Sequence, residues 1–210
     1  MTASANRQKT ERSSIKTKAI AKAQAIAKAK RIAPAVPAPI GSTPSTKFRG
    51  DPAIFGRLVE DHDRHRALLA MIGQTQSSGS ERTTLFEEFT REVKAHAAAE
   101  EQALWSTVLR KPETTEFGRH GVAEHHTLDK MLADLAARDM ATRAWSTCFG
   151  AMKEKYLHHV REEEQELFLA SEKHLTDADQ RYMRGVFNRR KKVEKSAAKI
   201  EKKLRVEPPA

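Results

Sequence analysis

From Asp51 onward the hydrophobic and polar positions show no period-two alternation of useful length, so the chain reads as helices rather than strands. Asp51-Pro52 is an N-cap followed by proline at the first helical position, opening a helix that runs to about residue 72. The stretch 73–79, rich in Gly, Gln, Ser and Thr, is a turn. Ser80 caps a second helix over 81 to about 110, stopped by Lys111-Pro112. A third is expected over 115–137 and a fourth over 139 to about 173. Thr176-Asp177-Ala178-Asp179 resembles a capped start, and from there to Leu204 the pattern is helical with a basic surface. Inside these stretches glycine and proline are limited to Gly56, Gly118, Gly121, Gly150 and Gly185. Short connections favour antiparallel neighbours. The predicted fold is therefore all-α: a four-helix up-down bundle over 51–175, then a basic C-terminal helix and tail over 176–210.

Composition changes the picture at the ends. The first fifty residues are mostly Ala, Lys, Ser, Thr and Pro, and 15–32 (IKTKAIAKAQAIAKAKRI) is of low complexity. Pro34, Pro37, Pro39 and Pro44 stop any helix there, so 1–50 is expected to be a disordered tail. It lacks the uninterrupted apolar stretch of a secretory signal. Its acid-poor, Ser-containing composition suits a transit peptide, and its Ala–Lys–Pro pattern equally suits a polyanion-binding arm.

Charge is divided the same way. Residues 1–50 carry eleven basic groups and one acid, 188–210 nine and three, and the middle 18 and 24. An acidic body thus stands between basic ends, which are candidates for sequence-independent contact with nucleic acid. One cysteine, Cys148, excludes an intrachain disulfide framework and any cysteine-based zinc or iron–sulfur site within one chain. No run approaches the roughly 20 apolar residues of a membrane span, and the expected setting is cytoplasmic.

The chemistry lies in an internal repeat. His96-Ala-Ala-Ala-Glu100-Glu101-Gln102-Ala-Leu104-Trp105 and His159-Val-Arg-Glu-Glu163-Glu164-Gln165-Glu-Leu167-Phe168 share the pattern His-x-x-x-Glu-Glu-Gln-x-Leu-aromatic, 63 residues apart. The same offset maps His62 onto His125, Asp61 onto Glu124, Leu69 onto Leu132 and Phe86 onto Phe149. The body is two copies of a helical hairpin. Duplicated packing would repeat aliphatic residues; a repeat whose fixed points are His and Glu repeats a polar site.

Helix geometry brings the six together. His96 and Glu100, like His159 and Glu163, are four apart and share a face. From His62 the first helix climbs about 15 Å to its turn and the second descends about 22 Å to His96, so both finish at similar height once the loop is allowed for. Four imidazoles and two carboxylates buried together are costly unless they bind something. A pair of dications resolves the cost: two non-haem irons, each with two His and both sharing the two Glu, keep about two positions each for a bridging oxygen and an external ligand.

At these residues the chain resembles the hemerythrin-like (HHE cation-binding) domains, over about 51–170 and with all four helices in order. The resemblance implies His62 on the first helix, His96 and Glu100 on the second, His125 on the third, and His159 and Glu163 on the fourth as metal ligands. Oxygen-carrying hemerythrins have a further His one turn before the third-helix ligand. Here that position is Gly121, with His120 one residue off register. The resemblance then implies a more symmetric and more open site, suited to sensing, iron handling, peroxide removal or nitric oxide binding rather than oxygen transport.

Other residues receive plainer readings. His126 and His158 point away from their ligand neighbours, and His65 and His120 are surface histidines. Glu101 and Glu164 lie on a solvated face. Trp105 and Phe168 are core, and Cys148 is a buried inert thiol. No residue stands out as a substrate-specific acid or base. The expected function is di-iron binding with dioxygen, reactive oxygen species or nitric oxide as exogenous ligand. The alternative is a nucleic-acid-associated protein with basic tails and a structural metal site.

Overall fold

The computed structural model describes residues 47–75 and 79–197, and among them every regular element is helical. Helix α1 is Ile54–Gly73. Asp51 is not its cap. The Asp51 carboxylate instead accepts the Ala53 N–H at 2.7 Å in a turn that feeds the helix, and Pro52 stays outside. Helix α2 is Ser80–Glu100, with Gly79 rather than Ser80 at the N-cap. It continues through a π turn, Glu101–Trp105, into a last α turn, Ser106–Val108. Helix α3 is Thr115–Ala137.

Helix α4 is Arg143–Glu162, and it too continues through a π turn, Glu163–Leu167, into Phe168–Glu172. It begins later than expected because Thr142 caps it, accepting the Trp145 N–H at 3.1 Å, while Asp139 organises the turn before it. Helix α5 is Asp177–Ala197. Its start is the capping box read from the sequence: Thr176 Oγ1 accepts the Asp179 N–H at 3.2 Å and Asp179 Oδ2 accepts the Thr176 N–H at 3.0 Å. The expected continuation over 198–204 and residues 1–46 of the expected 1–50 tail lie outside the described residues, but 47–50 correct that boundary: Phe48 is buried against Phe55 and Phe168, and Arg49 pairs with Asp63.

Helix α1 packs on α2, α2 on α3, α3 on α4, and α4 back on α1, which closes a ring. Within each hairpin the contacts run in opposite directions. His62 meets His96 while His65 meets Phe89, and in the second hairpin His125 meets His159 while Trp145 Nε1 donates to the Leu135 carbonyl. The apolar core is split in two. One cluster holds Leu68, Ile72, Phe86, Phe89, Leu132 and Trp145. The other holds Phe55, Leu58, Leu104, Trp105, Phe168 and Phe187. On α1 the split falls at Asp61, His62, His65 and Arg66, all buried. A polar layer thus crosses the bundle between two apolar plugs, each large side chain of which contributes about 2 kcal/mol of burial.

Helix α5 lies against α1, α2 and the first π turn. Met183 and Phe187 enter the core, and Lys191, 4% exposed, reaches Asp61 and Glu92. Lys195 also pairs with Glu92. Part of the basic charge expected on the surface of this helix is therefore turned inward. No helix among the described residues is long and apolar enough to cross a membrane.

Two stability predictions follow from this packing. Lys191→Met strips a buried cation from Asp61 and Glu92 and is expected to cost about 3 kcal/mol, read as a lower urea midpoint at unchanged slope. A variant as stable as the native chain would show that these pairs do not hold α5. A Cβ built on Gly121 would stand 3.0 Å from Cε2 of the fully buried Trp105. Gly121→Ala should therefore destabilise, by about 1 kcal/mol, although alanine is the better helix former. Gly150→Ala, with nothing described within 4 Å, should stabilise by a similar amount. Two shifts of the same sign would refute the packing account.

Candidate metal centre

The ring of four helices brings the six sequence-predicted residues to one buried point. His62 comes from α1, His96 and Glu100 from α2, His125 from α3, His159 from α4 and Glu163 from the π turn that follows it. Glu163 stands between two histidine pairs: its Oε2 is 3.3 Å from His62 Nε2, and its Oε1 is 3.4 Å from His159 Nε2 and 3.9 Å from His125 Nε2. Glu100 mirrors it, with Oε2 3.4 Å from both His96 Nε2 and His125 Nε2. His62, His96 and Glu163 form one cluster able to hold an ion; His125, His159 and Glu163 form a second.

The donor atoms face one another without bonding. His62, His96 and His125 Nε2 and all four oxygens of Glu100 and Glu163 are buried with no hydrogen-bond partner among the described residues. Leaving so many polar atoms unmet costs several kcal/mol. Neighbouring ligand atoms on an ion with bonds of about 2.1 Å sit about 3 Å apart, close to the separations found here. The donor set of imidazole and carboxylate without thiolate suits iron and similar borderline ions.

Each imidazole is aimed from behind. His62 Nδ1 bonds Glu164 at 2.8 Å and His125 Nδ1 bonds Glu101 at 2.9 Å. His96 Nδ1 bonds Asp61 at 3.1 Å and His159 Nδ1 bonds Glu124 at 2.9 Å. The 63-residue offset maps the first contact onto the second and the third onto the fourth, so the outer carboxylates obey the same repeat as the inner residues. Donation from Nδ1–H fixes the tautomer that leaves Nε2 free for a metal. The expectation of a solvated face for Glu101 and Glu164 is thus corrected: Glu164 is 2% exposed, and Glu101 bonds His125 from the rim. The sequence signal is the repeated Glu-Glu doublet, which in both copies sits where the helix passes into a π turn.

A further layer carries the opposite charge. Arg66 bonds Glu164 at 2.8 Å, Arg57 bonds Asp61 at 2.7 Å beside Lys191, and Lys155 pairs with Glu124. Burial works against ionised Asp61, but Lys191, His96 and Arg57 overcome it and hold the carboxyl well below its ordinary range. Burial likewise opposes Glu124, which His159 and Lys155 bring down to about 2.

At the centre the balance differs. Burial, then the charges of Glu100 and Glu124, push Glu163 well above the carboxylate range. Burial also opposes ionised Glu100, but His125 and His96 beside it win and hold it low. Burial alone would lower His125; Glu100 and Glu101 raise it to about 9. Burial takes His159 down to about 4 and lowers His62, so both are neutral, as metal ligands must be. Protons thus stand in for positive charge where a cation would supply it.

His65 is not a surface residue. It is fully buried, its Nδ1 bonds the Tyr156 hydroxyl, and its Nε2 has no described partner. Burial depresses His65 well below its usual value and lifts Tyr156 well above, so the pair is neutral. A cavity of about 400 Å³ between α2 and α3 reaches this region, lined by Val93 and Leu128 and, at its inner end, by His96, His125, His159 and Tyr156. The expectation that Gly121 opens the site is corrected as well: the Trp105 indole fills the space a side chain there would take. Trp105 and Phe168 are core, His126 and His158 are exposed, and Cys148 is only half-buried at the edge of one apolar cluster.

Comparison with known proteins agrees with this architecture. The crystal structure of a hemerythrin HHE cation binding domain-containing protein from Mycobacterium kansasii superposes with a TM-score of 0.60 at 21% identity, covering 67% of this chain and 85% of that one. A comparison with curated proteins gives no match. The family model of the hemerythrin HHE cation binding domain matches residues 53–170, the four helices that supply every residue of the centre, and the chain therefore belongs to that family of cation-binding domains.

Proposed function

We propose that the chain is a non-haem di-iron protein in which Glu100 and Glu163 bridge two ions, each also held by two of His62, His96, His125 and His159. It binds or reacts with dioxygen, a reactive oxygen species or nitric oxide, as a sensor, a scavenger or an iron-handling factor. The observation that carries this reading is the convergence of buried imidazole nitrogens and carboxylate oxygens that make no hydrogen bond among the described residues. Glu163 belongs to both clusters, and Glu100 is equidistant from one histidine of each hairpin, which supports a shared role for both carboxylates.

When bound, such ions supply redox-active Lewis-acid positions open to an exogenous ligand. The chain's own residues do the rest. Four outer carboxylates hold the imidazoles in one tautomer and raise their basicity. The apolar plugs keep bulk water out along the bundle axis. The cavity between α2 and α3 gives a small diatomic or peroxide a path to His96, His125 and His159, past the Tyr156 hydroxyl held by His65. No observation favours the nucleic-acid alternative. Lys191 and Lys195 of α5 are spent on Asp61 and Glu92, and the basic stretches 1–46 and 198–210 lie outside the described residues.

Metal analysis tests the reading directly. Full-length protein loaded with ferrous iron under nitrogen and desalted should retain two tightly held irons per chain and, on oxidation, show the near-ultraviolet absorption of an oxo-bridged diferric pair. Retention of no iron would sink the proposal. The bridging assignment has its own test. Glu163→Ala or Glu100→Ala should lower occupancy at both positions, whereas His62→Ala should chiefly affect one. Site-resolved spectra in which either glutamate change disturbs a single ion would refute bridging.

A further inference from the structure

The two hairpins repeat the centre and its outer carboxylates but not what neutralises those carboxylates. In the first hairpin Asp61 sits four residues after Arg57, whose guanidinium bonds it at 2.7 Å, and Lys191 of α5 closes the other side. The 63-residue offset places Glu124 in the role of Asp61 and His120 in the role of Arg57. Lys155 takes Glu124 Oε1, but among the described residues no arginine pairs with Oε2. That oxygen accepts the His159 Nδ1–H at 2.9 Å and faces His120 Nε2 at 3.6 Å.

A second carboxylate faces the same gap. Glu162 Oε2 is 3.1 Å from His120 Nε2 and 3.6 Å from His158 Nδ1, yet it is buried and makes no hydrogen bond. One ligand atom each of His120, Glu124 and Glu162 lies within 4.8 Å of the other two, with His120 47% exposed on the solvent side. The position that Arg57 fills in one hairpin is thus, in the other, held by a half-exposed histidine between two carboxylates.

We propose that His120, Glu124 and Glu162 form a separate, solvent-facing site for one borderline divalent cation, such as zinc or ferrous iron, with His158 in reach as a further ligand. The residue types select the ion class. One or two imidazoles with two carboxylates suit zinc and iron, whereas magnesium and calcium prefer oxygen alone. The charge also fits: a dication on Glu124 Oε2 and Glu162 does what Arg57 and Lys191 do for Asp61. The site stands on residues outside the six of the buried centre, so it holds whatever that centre carries. It touches the centre through one group, since Glu124 is the carboxylate that aims His159.

The test is calorimetric titration of zinc into the full-length protein with its centre as isolated, compared with variants. The native chain should take up one more zinc than His120→Ala. Glu162→Gln should weaken that uptake at least about tenfold, the scale of losing a group that supports a metal. His174→Ala, a histidine remote in sequence from the cluster, should behave as native. Iron content measured on the same samples reports the buried centre separately, so absence of iron there would leave the difference between native and His120→Ala intact. Because His120 is half-exposed on a helix, unchanged circular dichroism is expected and confirms that the comparison is between folded proteins. Equal zinc uptake by native and His120→Ala chains would overturn the proposal and leave the cluster as a histidine–carboxylate ion pair.

Discussion

Two carboxylates, Glu100 and Glu163, face each other's histidines inside a fully buried layer, and among the described residues no donor hydrogen-bonds them. The cost of that arrangement organises the molecule. An apolar core of ordinary composition would need none of the surrounding polar structure. Here the charge is handled in alternating layers. Carboxylates lie at the centre, imidazoles around them, four more carboxylates behind the imidazoles, and arginine and lysine behind three of those four, while Glu101 on the rim meets water instead. Each layer makes the one inside it affordable in a medium where unpaired ions are expensive. The two apolar clusters on either side hold the helices while the layer itself contributes little net stability.

The duplication explains why the layers close. A contact made by one hairpin on the other is returned 63 residues away, so a single solution for aiming a histidine serves four times in two related pairs. Symmetry stops at the outer edge. Helix α5 covers the α1–α2 side and brings Lys191 with it, whereas the α3–α4 side carries Lys155, His120 and Glu162 at the surface. The cavity also breaks the symmetry, opening between α2 and α3. The buried centre is thus nearly two-fold while its approaches are not.

What could be read in advance follows from this division. The six inner residues were legible because their chemistry is repeated at a fixed offset, and the helices because their caps and prolines are local signals, as at Thr176 and Pro112. His65 was not legible. The offset maps it onto Leu128, and only the arrival of Tyr156 from another helix shows that it is inside. Glu101 and Glu164 read as a solvated face because their partners, His125 and His62, arrive from the other hairpin. Gly121 looked like an opening because its own side chain is missing; the space belongs to Trp105, which sits sixteen residues away in sequence and on another helix. The position of Lys191 follows Met183 and Phe187 at four-residue spacing on the apolar face of α5, but its pairing with Asp61 and Glu92 is a tertiary fact.

The layered arrangement also decides what a bound cation would supply. The outer hydrogen bonds and ion pairs are made between protein groups, and the apolar clusters lie to either side of the layer. The cage is therefore preorganised, and an ion entering it pays little ordering cost. At the inner atoms, burial and neighbouring carboxylates raise the proton affinity of Glu163, and, against burial, Glu100 and Glu101 raise that of His125. Metal and protons thus compete for the same oxygens and nitrogens, and an ion that binds the folded chain stabilises it in proportion to its affinity. The groups that aim the ligands are thus separate from the buried atoms that a bound cation would satisfy.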